Sequence, residues 1–427
     1  MKTPNNYKYL LLFRLGVFLT GISIFSTKTF SQAIEAGYGK GDVLKFDQWL
    51  INDGLKQQNA QSFWLGYIYQ THSDENCAYA SDYNYPTFTF GLLTADFNQV
   101  RLRYNPKGSR PINYDSRCGT SFVTYASFRR AFFRTQSGWS ADYTFGNGIG
   151  YNTHIYDRYT NVDNIMLGSR LSVYFNVAFA LNYRYRQCEF FAGPEFRHLS
   201  NGGVVRPNKG INKLGVGVGM RYHLQPFDSI PLTRLHQPFE EKRMYLNIAY
   251  YSGIRASQGE WLYDANNYIW KNNDVDNIKY GMDGYQMCYY HVVSTDLMVR
   301  YARRYASGIG LDALYEPYNC YIETQKAGER PEHVQWTLGI AAKHEVFFRR
   351  LSMRIALGWY LNRPFNEYSN TTEEYPYYER VGLRYNLPLL NNSFSIGYNI
   401  YAHLTKAYGT ELVIDYKLPS RKGKRNQ

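Results

Sequence analysis

The chain has 427 residues, with 48 Lys+Arg against 35 Asp+Glu (net +13), 44% hydrophobic and 18% aromatic residues, and a mean hydropathy of −0.49. Beyond the N-terminus no apolar run reaches the roughly 18–20 residues of a transmembrane helix, so a helical membrane protein is excluded. The hydrophobic content excludes disorder, and neither a glycine period nor sustained heptads admit collagen or a coiled coil.

At the N-terminus Lys2 and Lys8 precede an apolar stretch from Tyr9 to Phe25, interrupted by Arg14 and followed by Thr29-Phe30-Ser31. A short apolar core with small residues at 29 and 31 reads as a signal peptide, residues 1–31, cleaved after Ser31, rather than as a membrane anchor. The mature chain keeps 44 basic residues against 35 acidic ones, a net +9. Such a surplus attracts nucleic acid or anionic lipid. Export selects lipid, with lipid A phosphates as natural partners, and nucleic acid is not expected. Export also permits disulfides. Of Cys77, Cys118, Cys188, Cys288 and Cys320, the first two flank one predicted hairpin and form the candidate pair. The odd count leaves at least one thiol free or intermolecular. Neither CxxC nor HExxH occurs, so no metal or cofactor is expected.

The 43 tyrosines, 25 phenylalanines and 7 tryptophans suit membrane aromatic belts, where an apolar body carries a wet tip. Their spacing is period 2. Trp139, Ala141, Tyr143 and Phe145 alternate with Ser140, Asp142, Thr144 and Gly146. Gly146-x-Gly148-x-Gly150 continues that strand and is not a dinucleotide loop, since no step into a helix follows. From Leu171 to Tyr185 every odd residue is apolar or aromatic, and the even ones include Ser172, Asn176, Asn182 and Arg184. Alternate side chains of a strand take opposite faces, so one face is greasy and the other polar. A tilted strand needs about 9–11 residues to cross a bilayer, and this one exceeds that length.

The segment Phe196-Arg197-His198-Leu199-Ser200-Asn201-Gly202-Gly203, followed by Arg206-Pro207-Asn208-Lys209-Gly210-Ile211-Asn212, carries chemistry. His198 and Ser200, two apart on one strand, share a face, and an imidazole beside a hydroxyl can make it a nucleophile. Asn201, Asn208 and a turn amide such as Gly202 are candidate oxyanion donors. The run from 201 to 210 reads as a turn that returns Asn212 beside His198.

The segment resembles the lipid A 3-O-deacylase (PagL) family, whose pattern is a His-x-Ser-Asn step, a Pro-Asn step and an acidic residue on the next strand. His198, Ser200 and Asn201 match the first step, and Pro207-Asn208 the second. The family glutamate falls on Asn212, a departure that changes the member orienting the histidine. The close match is confined to this motif and its flanks, and the general pattern spans residues 32–225. The longer layout also resembles acyloxyacyl hydrolases of Bacteroidetes-type bacteria. The resemblance implies an outer-membrane serine esterase acting on the 3-O-linked hydroxyacyl chain of lipopolysaccharide, with His198 as base, Ser200 as nucleophile and Asn212 as orienting residue. A homodimer is a candidate assembly.

Parity gives a separate reading of the site. Before the motif the even positions Phe190, Ala192, Pro194 and Phe196 are greasy. His198 and Ser200 share their parity, and Asn212 shares that of Leu214 and Val216, so all three are expected to face lipid. Polar groups there are costly without a partner or a task.

Leu214, Val216, Val218 and Met220 alternate with Gly215, Gly217, Gly219 and Arg221; glycines of inner parity leave room in a narrow lumen. Residues 226–241, with Pro226, Pro231 and Pro238, read as a connection. Alternation resumes over 242–418, clearest from Leu351 to Leu361. His403-Leu404-Thr405 parallels His198-Leu199-Ser200, but its parity places it inward, as a structural copy. Residues 419–427 form a basic tail. The strands number roughly sixteen, in an all-β, antiparallel transmembrane barrel of outer-membrane type with about twelve to sixteen strands. The short connection favours one barrel; two joined eight-stranded barrels are the alternative. The functional runner-up is a barrel with a degenerate site, acting as channel, adhesin or structural protein.

Overall fold

The computed structural model describes residues 32–46, 55–71, 78–102, 116–157, 160–161, 163–224, 239, 243–256, 287–317, 335–362, 375–403 and 406–419. The expected signal peptide, the tail beyond Pro419, most of the connection, Cys77, Cys320, Leu404 and Thr405 lie outside these residues.

The first barrel is built from β1 (Gln32–Val43), β3 (Asn59–Gln70), β4 (Thr87–Leu102), β5 (Ser116–Arg134), β6 (Trp139–Asn152), β7 (Leu171–Tyr185), β8 (Cys188–Ser200) and β9 (Ile211–His223), with a short β2 (Leu55–Gln57) added to β4. All pairings are antiparallel. β1 pairs with β9, from Ala33↔His223 to Val43↔Lys213, and β4 with β5, so the ring closes on itself. The second barrel runs β10 (Arg243–Ala256), β11 (Met287–Arg300), β12 (Tyr305–Tyr315), β13 (Trp336–Phe348), β14 (Leu351–Asn362), β15 (Tyr377–Asn386), β16 (Phe394–His403) and β17 (Lys406–Pro419), closed by β10 on β17. The expectation of one large barrel is therefore corrected. A single ring would need β9 on β10 and β17 on β1. Instead each half satisfies its own edges, as an eight-stranded ring can when its interior is filled by side chains.

Alternation sets which face is which. On β7, Leu171 is 64% exposed and Leu181 51%, while their neighbours Ser172 and Asn182 are buried. The outer surface is apolar, and the interiors hold the charged side chains beside buried apolar clusters. In the first lumen Arg221 bridges Glu35 (2.7 Å) and Glu189, and Arg129 reaches Glu189 at 2.9 Å. In the second, Lys343 joins Asp296 and Asp312, Arg354 pairs with Glu345 at 2.7 Å, and Arg380 with Glu411 at 3.0 Å. Buried charges need such pairing. Gly217 shows why glycine serves on the inner face of β9: a Cβ there would lie 2.7 Å from Glu195 Oε2. His403 is buried in the second lumen, Nε2 2.7 Å from Tyr360 Oη, in a group that includes Tyr401.

The barrels dock side by side. At one end the helix α1 (Ala78–Asp82) and its flank reach across: Arg303 pairs with Asp82 at 3.0 Å, and Tyr83 Oη donates to the Phe347 carbonyl at 2.8 Å. Phe348 packs on Phe88, with ring centroids 4.9 Å apart. Midway, Tyr398 Oη donates to Asn147 Oδ1 at 2.6 Å. Cys118 is a free thiol, buried in the core of the first barrel with its Sγ 3.8 Å from Asn164 Oδ1. Its expected partner, Cys77, lies outside the described residues.

Candidate active site at the rim of the first barrel

β7 and β8 are joined by a tight turn at 186–187, so the far end of β8 carries His198 and Ser200 to the opposite rim. The antiparallel register sets His198 directly against Asn212 on β9, and Val173 and Phe175 of β7 against Ser200 and His198. Spacing and register together bring the three polar side chains into a line. His198 Nε2 lies 2.8 Å from Ser200 Oγ, and His198 Nδ1 lies 2.6 Å from Asn212 Oδ1. An amide oxygen only accepts, so the proton sits on Nδ1 and the Nε2 lone pair faces the Ser200 hydroxyl. That is the tautomer a general base requires.

The three residues lie on the outer side of the wall. Arg197, Leu199, Ile211 and Lys213, which alternate with them, are buried inward. Behind the site Arg197 and Lys213 are cross-strand partners of like charge. Glu195 lies between them, 2.7 Å from Arg197 Nη2 and 3.1 Å from Lys213 Nζ, and neutralises the repulsion. Although it points outward, Ser200 is only 7% exposed, and Gly210 at the end of the following turn packs close to its Cβ.

That turn, residues 201–210, is held by its own side chains. The Asn201 N–H donates to Asn208 Oδ1 at 2.9 Å, and Asn201 Nδ2 to the Val205 carbonyl at 2.9 Å. Asn201 Oδ1 in turn accepts from the Gly203 N–H at 3.1 Å. Asn201 is therefore engaged in shaping the turn. Among the described residues no acceptor engages the Gly202 N–H or Asn208 Nδ2. Gly202 and Gly203 have φ of +67° and +83°, a conformation open to glycine at little cost.

Three contributors escaped the sequence reading. Gly210, at φ +71°, presses on the site: a Cβ there would lie 2.9 Å from His198 Cε1 and 3.3 Å from Ser200 Cβ. Its place just before β9 is a turn signal that could have marked it. The β6–β7 loop fixes the turn from one side, the Ile165 and Met166 carbonyls accepting from the Lys209 and Gly210 N–H groups at 3.1 and 3.0 Å. The rim of the second barrel touches it from the other. Neither of these last two has a local signal in the sequence.

Two family models match the chain. Residues 48–221 match "Lipid A 3-O-deacylase (PagL)", and residues 261–421 match "Acyloxyacyl hydrolase, C-terminal domain". The chain belongs to the PagL lipid A deacylase and acyloxyacyl hydrolase family. The deacylase match falls on the first barrel with its His-Ser-Asn line, and the C-terminal-domain match on the second. Within this family pattern, Asn212 stands where a glutamate is expected.

No curated protein matches the chain. Among solved structures, a Rhodopseudomonas blastica porin triple mutant aligns at 7% identity over 91% of this chain and 100% of that one, TM-score 0.15. A Salmonella typhi OmpF complex with daunomycin aligns at 9% identity over 91% and 97%, TM-score 0.18. The ferric enterobactin receptor PfeA aligns at 9% identity over 88% and 54%, TM-score 0.23. The barrel assignment rests on strand pairing and not on these alignments.

Proposed function

We propose that the protein is an outer-membrane serine esterase that removes an ester-linked acyl chain from lipid A. The observation that carries this reading is the Ser200–His198–Asn212 line, held at 2.8 and 2.6 Å on the outer face of the wall. Ser200 Oγ attacks the ester carbonyl carbon as its proton passes to His198 Nε2. The oxyanion is met by the Gly202 N–H and Asn208 Nδ2, with Asn201 keeping the turn in shape. Collapse breaks the bond to the sugar oxygen, which takes the proton back from His198. Water, deprotonated by the same imidazole, then frees the fatty acid and restores the Ser200 hydroxyl. Asn212 holds the imidazole in its working tautomer throughout. The groups named complete this cycle without a cofactor.

By family likeness, the bond cut is the 3-O-linked hydroxyacyl ester. Export by the N-terminal segment delivers the chain to the membrane where lipid A resides, and substrate reaches the outer face by lateral diffusion. The channel reading is disfavoured by the ion-paired side chains that fill both lumens.

Mass spectrometry of lipid A from outer membranes expressing the protein tests the reading. The wild type is expected to remove one hydroxyacyl chain, and Ser200→Ala to lower its release by about 10⁴-fold or more. Unchanged lipid A from a correctly folded wild type would sink it.

A further inference from the structure

We infer that the second barrel is a positioning element for catalysis: Thr410 and the end of β10 hold the Gly202 and Gly203 carbonyls, and with them the shape of the turn whose Gly202 N–H is the proposed oxyanion donor. The inference rests on the esterase reading above.

The contacts converge on two peptide units. Thr410 Oγ1 donates to the Gly202 carbonyl at 3.2 Å, and the Ala256 N–H donates to the Gly203 carbonyl at 2.8 Å. The Ala256 carbonyl is used as well, accepting from Arg206 Nε at 2.7 Å. Consecutive carbonyls of the turn are thus both bound to the second barrel. In a planar trans peptide the N–H points opposite to the C=O, so fixing the Gly202 carbonyl also fixes the Gly203 amide. That amide donates to Asn201 Oδ1, which ties it back to the site.

The approach is too close for any other residue. A Cβ on Gly202 would lie 2.3 Å from Thr410 Oγ1 and 3.2 Å from Ile400 Cδ1, and one on Gly203 would lie 2.8 Å from the Tyr408 carbonyl. The rim doing the holding is itself anchored in the second lumen. Tyr408 Oη donates to Glu316 Oε1 at 2.7 Å, and Arg255 pairs with the same oxygen at 2.9 Å. A wall anchored in this way therefore stands behind a turn that its own side chains and the β6–β7 loop hold on the other side. Oxyanion donors lose their value when they must reorganise during the reaction, and this wall removes that freedom.

The test compares full-length wild type, Thr410→Val and Thr410→Ser, each folded in outer-membrane vesicles. Steady-state lipid A deacylation and the rate of Ser200 labelling by a fluorophosphonate are measured. Thr410→Val is nearly isosteric and removes one neutral hydrogen bond. It is expected to lower kcat and the labelling rate about fivefold to tenfold with KM unchanged, and Thr410→Ser to restore both. If the wild type turns over and Thr410→Val matches it, the inference fails and the esterase reading stands. A rise in KM alone, or a loss that Thr410→Ser does not recover, also overturns it. If the wild type neither deacylates nor labels, the esterase reading fails and takes the inference with it.

Discussion

Asn212→Asp probes the position at which the sequence resemblance leads to the expectation of a glutamate. The substitution exchanges the amide nitrogen for oxygen at constant size, so the 2.6 Å contact with His198 Nδ1 is kept while a charge is added. In the proposed mechanism asparagine fixes the imidazole but does not stabilise by charge the imidazolium that forms as Ser200 attacks. A neutral hydrogen bond contributes about 1 kcal/mol and one to a charged group about 1.5–3 kcal/mol. Two unit charges 4 Å apart attract by about 4 kcal/mol at an effective dielectric of 20, and desolvating a half-buried carboxylate offsets part of that. A net transition-state gain of about 1–2 kcal/mol corresponds to a roughly fivefold to thirtyfold rise in kcat. The same carboxylate favours the protonated imidazole in the resting enzyme, and a base must be neutral to act. The acid limb of the pH–rate profile should therefore move to higher pH. Single-turnover acyl release between pH 5 and 9 measures both effects. An Asn212→Asp protein that folds, turns over no faster and keeps its profile would refute the argument that Asn212 acts through His198.

Gly210→Ala adds a Cβ at φ +71°, 2.9 Å from His198 Cε1. Turnover should fall about tenfold to a hundredfold as the imidazole is displaced from Ser200, while the barrels, assayed by heat-modifiable gel migration, stay folded. Lys343→Met removes the cation between Asp296 and Asp312 and leaves two buried carboxylates to the remaining Arg354 and Arg380. Urea unfolding should show a loss of about 3 kcal/mol, and an unchanged midpoint would mean that the lumen network contributes little.

Strand identity was legible because burial in a barrel wall imprints period 2 on the chain. Leu171–Tyr185 has the limits of β7, since its odd residues point outward and its even ones into the lumen. Closure was not legible. One large ring and two small ones impose the same alternation, and only the partners of β1, β9, β10 and β17 differ. In the site, His198 and Ser200 could be placed on one face by spacing, and Asn212 beside them by the turn. The engagement of Asn201 with Val205 was hidden, because an amide four residues from a carbonyl gives no sign of which way it turns. The grip of Thr410 on Gly202 joins residues 208 apart in sequence, a distance at which no pattern in a single chain can point.

The outward direction of the His198–Ser200–Asn212 line has a kinetic consequence. If the protein is the esterase proposed above, with paired charges in the lumen at its back, the serine draws on a two-dimensional pool, so the governing quantity is the mole fraction of substrate in the leaflet and not its bulk molarity. Inert detergent or phospholipid then slows turnover by dilution within the plane, without binding to the protein. The freed fatty acid enters the same layer, where it spreads past neighbouring enzyme copies before it reaches water.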